Sequence, residues 1–489
     1  MLTLLAPERF KQLRDIFVET GYTESNLRDY LGAPELPSSH LRNLPRLLDR
    51  TSAPTLLNAL LRWFWLGRVL NKSELSGTVS EELFSMLVDS GLIEVDGELL
   101  TAQAMLLPMA DFVVASDHPS AFESRQSELV LWPNPTSKFM NQFALRRHSS
   151  ATLDLGTGSG ILSLFAADHS DVVIATDLSP RAAAFANFNA KLNGVENIEV
   201  LTGDCFAPVA GRKFDLILSN PPFFITPQTD YLFCDNPMDL DSLCRRLVKE
   251  VPEYLNEDAY FEMLCEWAQI DGEPWEERIA EWLQDTGCDA WVMKGSTKKP
   301  EEYAQQRIRE ISQDSSTDAA QYDGYMNYYR QRRVEAIHDG LIVMRRRTGD
   351  NFVRIEEVPT SSKIEVGDAV LSTFGAHDLL RECKDDEKLL AIRLKLASNV
   401  RLDQVGFQAE GKWQAESITL RRTTGLPFRL GLQPQVAEFL ATCDGTRTTE
   451  EVIRAFAAAV AVPHEKVQME CLAMIRKLIE RGLIVVAPA

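Results

Sequence analysis

Ala151-Thr152-Leu153-Asp154-Leu155-Gly156-Thr157-Gly158-Ser159-Gly160-Ile161-Leu162 is a short apolar strand, a glycine-rich turn and the start of an apolar helix. Glycines let the backbone approach a ligand closely and adopt φ > 0. A helix N-terminus behind them offers free N–H groups and a positive dipole end. A dinucleotide fingerprint needs G-x-G-x-x-G, with its third glycine packing the helix. Here the spacing is G-x-G-x-G, with Asp154 two residues before the first glycine. An acid in that turn repels a pyrophosphate and suits a ligand bearing an ammonium group.

Working outward, a second strand, Asp171-Val172-Val173-Ile174-Ala175-Thr176-Asp177, ends in an acid placed to hold the two hydroxyls of a ribose. A third, Ile198-Glu199-Val200-Leu201, leads to Gly203-Asp204, where a carboxylate can accept from an adenine amino group. Ammonium, ribose and adenine together describe S-adenosylmethionine. A fourth, Leu216-Ile217-Leu218-Ser219, stops at Asn220-Pro221-Pro222-Phe223. Two prolines cannot continue a ladder, and each fixes φ near about −65°. Asn220 and Pro221, each preceding a proline, are held extended. The product is a rigid corner whose Asn220 amide oxygen and Pro221 carbonyl can grip a planar NH2 group, with Phe223 against the flat group that carries it.

In order and separation, D-x-G-x-G-x-G, the acid closing strand two, Gly-Asp after strand three and N-P-P-F after strand four resemble the class I S-adenosylmethionine-dependent methyltransferases. The N-P-P-F corner is similar to that of the amino-group N-methyltransferases. These include release-factor glutamine methyltransferases and adenine-N6 and guanine-N2 base methyltransferases. The resemblance is carried by residues 150–225 and extends more loosely to residue 346. In that looser part Gly287-Cys288-Asp289-Ala290-Trp291-Val292 and His338-Asp339-Gly340-Leu341-Ile342-Val343-Met344 match the last two strands. It implies an α/β, Rossmann-like, seven-stranded core. S-adenosyl-L-methionine would be held by Asp154, Gly156, Gly158, Gly160, Asp177 and Asp204, with Asn220 beside it. Asn220, Pro221 and Phe223 would carry the chemistry, and Phe224 would be core or support. Methyl transfer to a delocalised nitrogen then needs positioning and desolvation more than a strong base.

Composition bounds the rest. At 489 residues the chain exceeds one ordinary core and should hold two or three domains. A 45% hydrophobic and 25% charged content is that of a soluble globular protein. The segment Met1–Arg9 lacks the build of a signal peptide. The apolar window Leu56–Leu70 contains Arg62 and Arg68 and shows helical spacing, so it is expected as a buried helix and not a membrane span. Eight scattered cysteines without a C-x-x-C pair, and seven histidines without ligand spacing, fit a cytoplasmic protein with reduced thiols and no metal site. The net charge of −20 argues against a long nucleic acid as partner, since phosphate neutralisation supplies much of such affinity. The acidic segment Glu250–Asp289 is expected as a solvated face. Basic clusters at Arg42–Arg50, Arg330–Arg333 and Arg345–Arg347 leave a patch for structured RNA open, the last being expected as an exposed strand end.

Three domains are expected. Residues 1–125 are helical and winged-helix-like, with helices over Pro54–Leu70 and Ser80–Asp89 followed by a Gly turn, a strand and an Asp96-Gly97 hairpin. Residues 126–347 form the methyltransferase domain, entered through the loop Trp132-Pro133-Asn134-Pro135-Thr136, where Thr136 is a further candidate cofactor contact. Residues 348–489 form an accessory domain. Its first part, Gly349–Val366, suggests strands and turns, and it ends in three helical patterns and a winged-helix-like unit, with Thr448-Thr449-Glu450-Glu451 as a helix start. The function that follows is N-methylation of a planar amide or amino nitrogen on a macromolecule, favouring a protein glutamine. A base amino group (adenine N6 or guanine N2) in ribosomal or transfer RNA is the alternative. A regulator that binds S-adenosylmethionine without turnover is a third reading, but it has no use for the N-P-P-F corner. Oligomeric state is not legible.

Overall fold

The computed structural model describes residues 2–32, 44–119, 121, 127–311, 316–358, 367–424 and 427–487. Arg42 of the first basic cluster and residues 359–366 lie outside the described residues. The four strands legible around the motifs become β1 (Ser149–Leu155), β2 (Ser170–Asp177), β3 (Ile198–Thr202) and β4 (Phe214–Ser219). They continue into β5 (Leu255–Ile270), β6 (Cys288–Lys298), β7 (Val334–Arg346) and β8 (Val353–Glu357). The sheet order is β3-β2-β1-β4-β5-β7-β6-β8. Strands β1 to β5 run parallel, β7 lies antiparallel between β5 and β6, and β8 pairs parallel with β6. This is the expected seven-stranded Rossmann-like core with an eighth strand added at its edge.

Helices cover both faces, as a mainly parallel sheet requires. Helix α1 (Ile161–Ala167) follows β1, α2 (Pro180–Leu192) follows β2, and α3 (Ser242–Glu250) and α4 (Trp275–Leu283) flank β5. One face buries Leu153, Ile217, Phe261, Met263, Trp267, Val292 and Ile342 with Leu247 of α3 and Ile279 and Trp282 of α4. Between β6 and β7 the chain inserts α5 (Pro300–Ile311) and α6 (Asp318–Gln331). They pack Tyr303, Ala304, Tyr325 and Tyr329 against Ile225, Ala268 and Ile337.

Two charged stretches differ from expectation. Within Glu250–Asp289, β5 runs through the sheet with Glu262 fully buried and Glu266 nearly so. Acid-rich composition hid a strand whose stretch from Ala259 to Ala268 is otherwise apolar. Arg345, expected at an exposed strand end, is 4% exposed and pairs with the buried Asp289 at 2.7 Å.

The chain divides into two compact units, Met1–Asn141 with Arg147–Glu357, and Gln142–Arg146 with Val358–Ala489. In the first, the helices Pro7–Thr20, Glu24–Leu31 and Glu81–Asp89 share one core with α2. Phe10 meets Phe188 edge-on at 5.4 Å, and Phe185 and Leu192 join the same cluster. The expected hairpin forms, with Asp96 opposite Leu99 and Leu70 completing a three-stranded sheet. A second hairpin pairs Met105–Met109 with Phe112–Ser116.

The second unit contains the three expected helices, Pro434–Ala441, Thr449–Ala459 and His464–Glu480. Thr448 caps the middle one in a capping box with Glu451. Their core centres on Phe439, Ile453, Leu472, Ile475 and Ile479. A hairpin of Val400–Ala409 with Lys412–Arg422 carries the exposed Phe407 and Trp413. Among the described residues no helix is long and apolar enough to cross a membrane.

Candidate active site

In an open parallel sheet, ligands bind beyond the carboxyl ends of the strands, where the strand order reverses. Here that point lies between β1 and β4. Leu155 stands opposite Ser219 in register, and the Ser219 hydroxyl donates to the Leu155 carbonyl at 2.9 Å. The glycine loop and the Asn-Pro-Pro corner therefore leave the sheet side by side. The loop is fastened to β2, with Gly156 N and Thr157 N both donating to the Thr176 carbonyl at 2.9 Å.

Within the loop, Gly156, Gly158 and Gly160 all have positive φ, +78°, +55° and +84°. A Cβ on Gly156 or Gly158 would meet nothing within 4 Å, so their backbones face open space. A Cβ on Gly160 would come within 3.0 Å of Ala186 on α2. Gly160 thus permits the close approach of α1 and α2, a packing role beside its place in the loop.

Asp154 is fully buried. Its Oδ2 accepts from the Thr157 and Ser163 hydroxyls, both at 2.6 Å, while Oδ1 has no partner. Burial pushes its carboxyl up to about 6, against the lowering pull of those hydroxyls. Asp177, at the end of β2, accepts from Gly158 N and Ser179 N at 2.9 Å, and burial raises its carboxyl too. Asp204 is exposed, with Arg246 of α3 at 3.4 Å. A buried acid with one oxygen unpaired, beside an open glycine cradle, fits a cationic, hydroxyl-rich ligand.

At the corner, Asn220 and Phe223 are half-buried and Pro221 is buried. Among the described residues neither the Asn220 carboxamide nor the Pro221 carbonyl takes part in a hydrogen bond. The next carbonyl, of Pro222, is taken by the Asn236 amide at 2.8 Å. Phe223 packs on the sheet core and meets Phe224 edge-on at 5.5 Å. Thr136 lies in the helix Pro135–Phe143, half-buried.

Several residues around the corner were not anticipated. Tyr303 accepts from Ile225 N at 3.2 Å and donates to Glu266. Tyr329 donates to the Ile225 carbonyl at 2.8 Å. Burial lifts the Glu266 carboxyl to about 7. Arg307, one helical turn beyond Tyr303, lies over Phe224 at 3.8 Å. An acid inside the apolar run of β5 was the one signal available; the tyrosines of α5 and α6 look like ordinary core in sequence.

Comparison with known proteins agrees with this geometry. Residues 134–258 match the methyltransferase small domain, and residues 373–486 match a domain of unknown function (DUF7782). The chain is 34% identical over 143 residues to a release factor glutamine methyltransferase of Geobacter sulfurreducens, covering 26% of this chain and 50% of the relative. It is 37% identical over 102 residues to the release factor glutamine methyltransferase of Escherichia coli, covering 20% and 37%. It is also 34% identical over 127 residues to a ribosomal protein uL3 glutamine methyltransferase of Bradyrhizobium diazoefficiens, covering 23% and 39%. The chain thus spans half or less of the length of each of these relatives. The segment from 134 to 258 is a methyltransferase small domain of the class I, S-adenosylmethionine-dependent kind.

Proposed function

We propose that the protein transfers a methyl group from S-adenosylmethionine to the side-chain amide nitrogen of a glutamine in a protein substrate, acting in the cytoplasm. The observation that carries this reading is the pair of unengaged acceptors, Asn220 carboxamide oxygen and Pro221 carbonyl, on a corner made rigid by two prolines. Asp154 with the open backbones of Gly156 and Gly158 would hold the cofactor's amino-acid end. Asp177 and Asp204 would take its ribose and adenine, and Asn220 would border it. When bound, the cofactor supplies an electrophilic methyl group on a sulfonium.

The chain's own part is orientation. A carboxamide nitrogen is a poor nucleophile because its lone pair is delocalised. With one N–H donated to Asn220 and the other to Pro221, the nitrogen can pyramidalise and turn its lone pair out of the amide plane. Its proton leaves after the nitrogen becomes cationic, so the corner needs acceptors and no strong base. Phe223 covers the amide plane and keeps water away.

Charge supports a protein over RNA. Of the basic clusters that could touch phosphate, Arg345 pairs with Asp289, Arg347 with Asp258 and Arg332 with Asp239. Arg346 donates to the Thr286 and Gly287 carbonyls. These four cations are engaged by acids and carbonyls of the chain itself. Glutamine-directed relatives point the same way.

The test is Asn220→Ala, assayed with radiolabelled S-adenosylmethionine and a cell lysate. Turnover should fall by about 100-fold or more, with cofactor affinity by calorimetry changed by less than about threefold. A variant that methylates at the wild-type rate contradicts the proposed corner.

A further inference from the structure

Arg307 is unusual among the cations of this chain. It is 5% exposed, on the buried side of an inserted helix pair. Its Nη2 pairs with Glu310 at 2.8 Å, while Nε and Nη1 are buried without a partner. A guanidinium is a strong, permanently charged donor, and buried donors are nearly always satisfied. The residue also sits at a particular place. Its guanidinium lies over the ring of Phe224, and Phe224 meets Phe223 of the corner. One turn earlier on α5, Tyr303 fixes Ile225, the residue after Phe224.

We propose that Arg307 is a substrate-binding residue, whose free Nε–H and Nη1–H donate to a backbone carbonyl oxygen of the polypeptide that presents its side-chain amide to Asn220. This rests on the glutamine reading above and extends it from the reacting amide to the main chain beside it. The neighbourhood selects a neutral acceptor. Glu266 and Glu310 lie beside the guanidinium, so a phosphate or carboxylate would enter against two acids. A peptide carbonyl has the lone pairs to satisfy both donors and carries no charge to be repelled. The arrangement leaves the free protein with unsatisfied donors and completes them on binding. It also accounts for the inserted pair α5–α6, which brings this cation to the corner and holds Ile225 just after it.

The experiment uses the full-length protein, radiolabelled S-adenosylmethionine and nuclease-treated lysate protein as the acceptor, with Arg307→Met and Arg307→Lys beside the wild type. Arg307→Met should raise the acceptor concentration for half-maximal rate by about tenfold or more, the cost of a lost hydrogen bond from a charged donor. Its cofactor affinity should stay unchanged and its melting temperature should not fall, because two unsatisfied buried donors have been replaced by an apolar side chain of similar length. Arg307→Lys should restore part of the loss. An unchanged acceptor dependence in Arg307→Met, or a lowered melting temperature with weakened cofactor binding, would overturn the assignment and leave the glutamine reading standing. A wild type that labels no protein in this preparation but labels RNA in lysate left untreated with nuclease would overturn both.

Discussion

Asp154 is tied into the fold through only one of its two carboxyl oxygens. Two hydroxyls hold one of its oxygens, the other is unpaired, and its carboxyl titrates at about 6 where an ordinary aspartate titrates at 3.8. The raised value means the folded state binds this proton more tightly than the unfolded chain does. Its contribution to stability is therefore complete below about pH 4 and lost as pH rises through about 6. Cofactor affinity should move oppositely, because only the ionised acid balances an ammonium group. Calorimetry should show binding of S-adenosylmethionine weakening by about tenfold as pH falls through 6, and Asp154→Asn should bind weakly with no such dependence. A wild-type affinity flat across that range would exclude Asp154 from the ammonium's neighbourhood. At this scale the motifs were informative about placement: Asp154, Asn220 and Pro221 stand together at the carboxyl ends of the neighbouring strands β1 and β4. The partners of Asp154 were not legible, since Thr157 and Ser163 are unremarkable in a loop and a helix.

Element by element, helix α2 ties the glycine loop to the N-terminal region. Asn189 is fully buried and exchanges hydrogen bonds with Ala115, accepting from its N–H and donating to its carbonyl at 2.8 Å. Its second N–H reaches the Ser159 carbonyl in the glycine loop at 2.8 Å. One turn on, Asn193 repeats the exchange with Val113 at 2.9 Å. Helical side chains thus act as a further strand along the edge of the hairpin. Asn189→Ala should destabilise the fold by about 3 kcal/mol in urea unfolding, since it strands three buried backbone groups, and should weaken cofactor binding. A loss below about 1 kcal/mol, within the reach of an ordinary surface change, would contradict this linkage. Strands β1 to β4 were legible because each is apolar and ends at a motif. Strand β5 was not, because four acids (Glu257, Asp258, Glu262 and Glu266) mask its period, and burial of two of them depends on tertiary partners. Gly160 belongs to the same lesson: its spacing matches a cofactor loop, while its Cβ position is closed by Ala186.

For the whole molecule, the decisive property is where the charge goes. A net −20 coexists with arginine clusters that composition alone left open to RNA, and the fold pairs Arg332, Arg333, Arg345 and Arg347 of those clusters with acids of the chain. Near the corner of β4 stand two further acids, Glu266 held by Tyr303 and Asp235 held by Tyr231 N, both with carboxyls raised by burial. Protein methylation at an amide nitrogen is the central claim, and its product has a distinctive chemistry. Lysate protein labelled by the enzyme from methyl-radiolabelled S-adenosylmethionine should be purified free of nucleic acid and hydrolysed in strong acid. An N-methylated glutamine must then release its label as methylamine, and the Asn220→Ala enzyme must yield none. Label recovered on a nucleobase, or released from protein as methanol by mild base, would contradict the account.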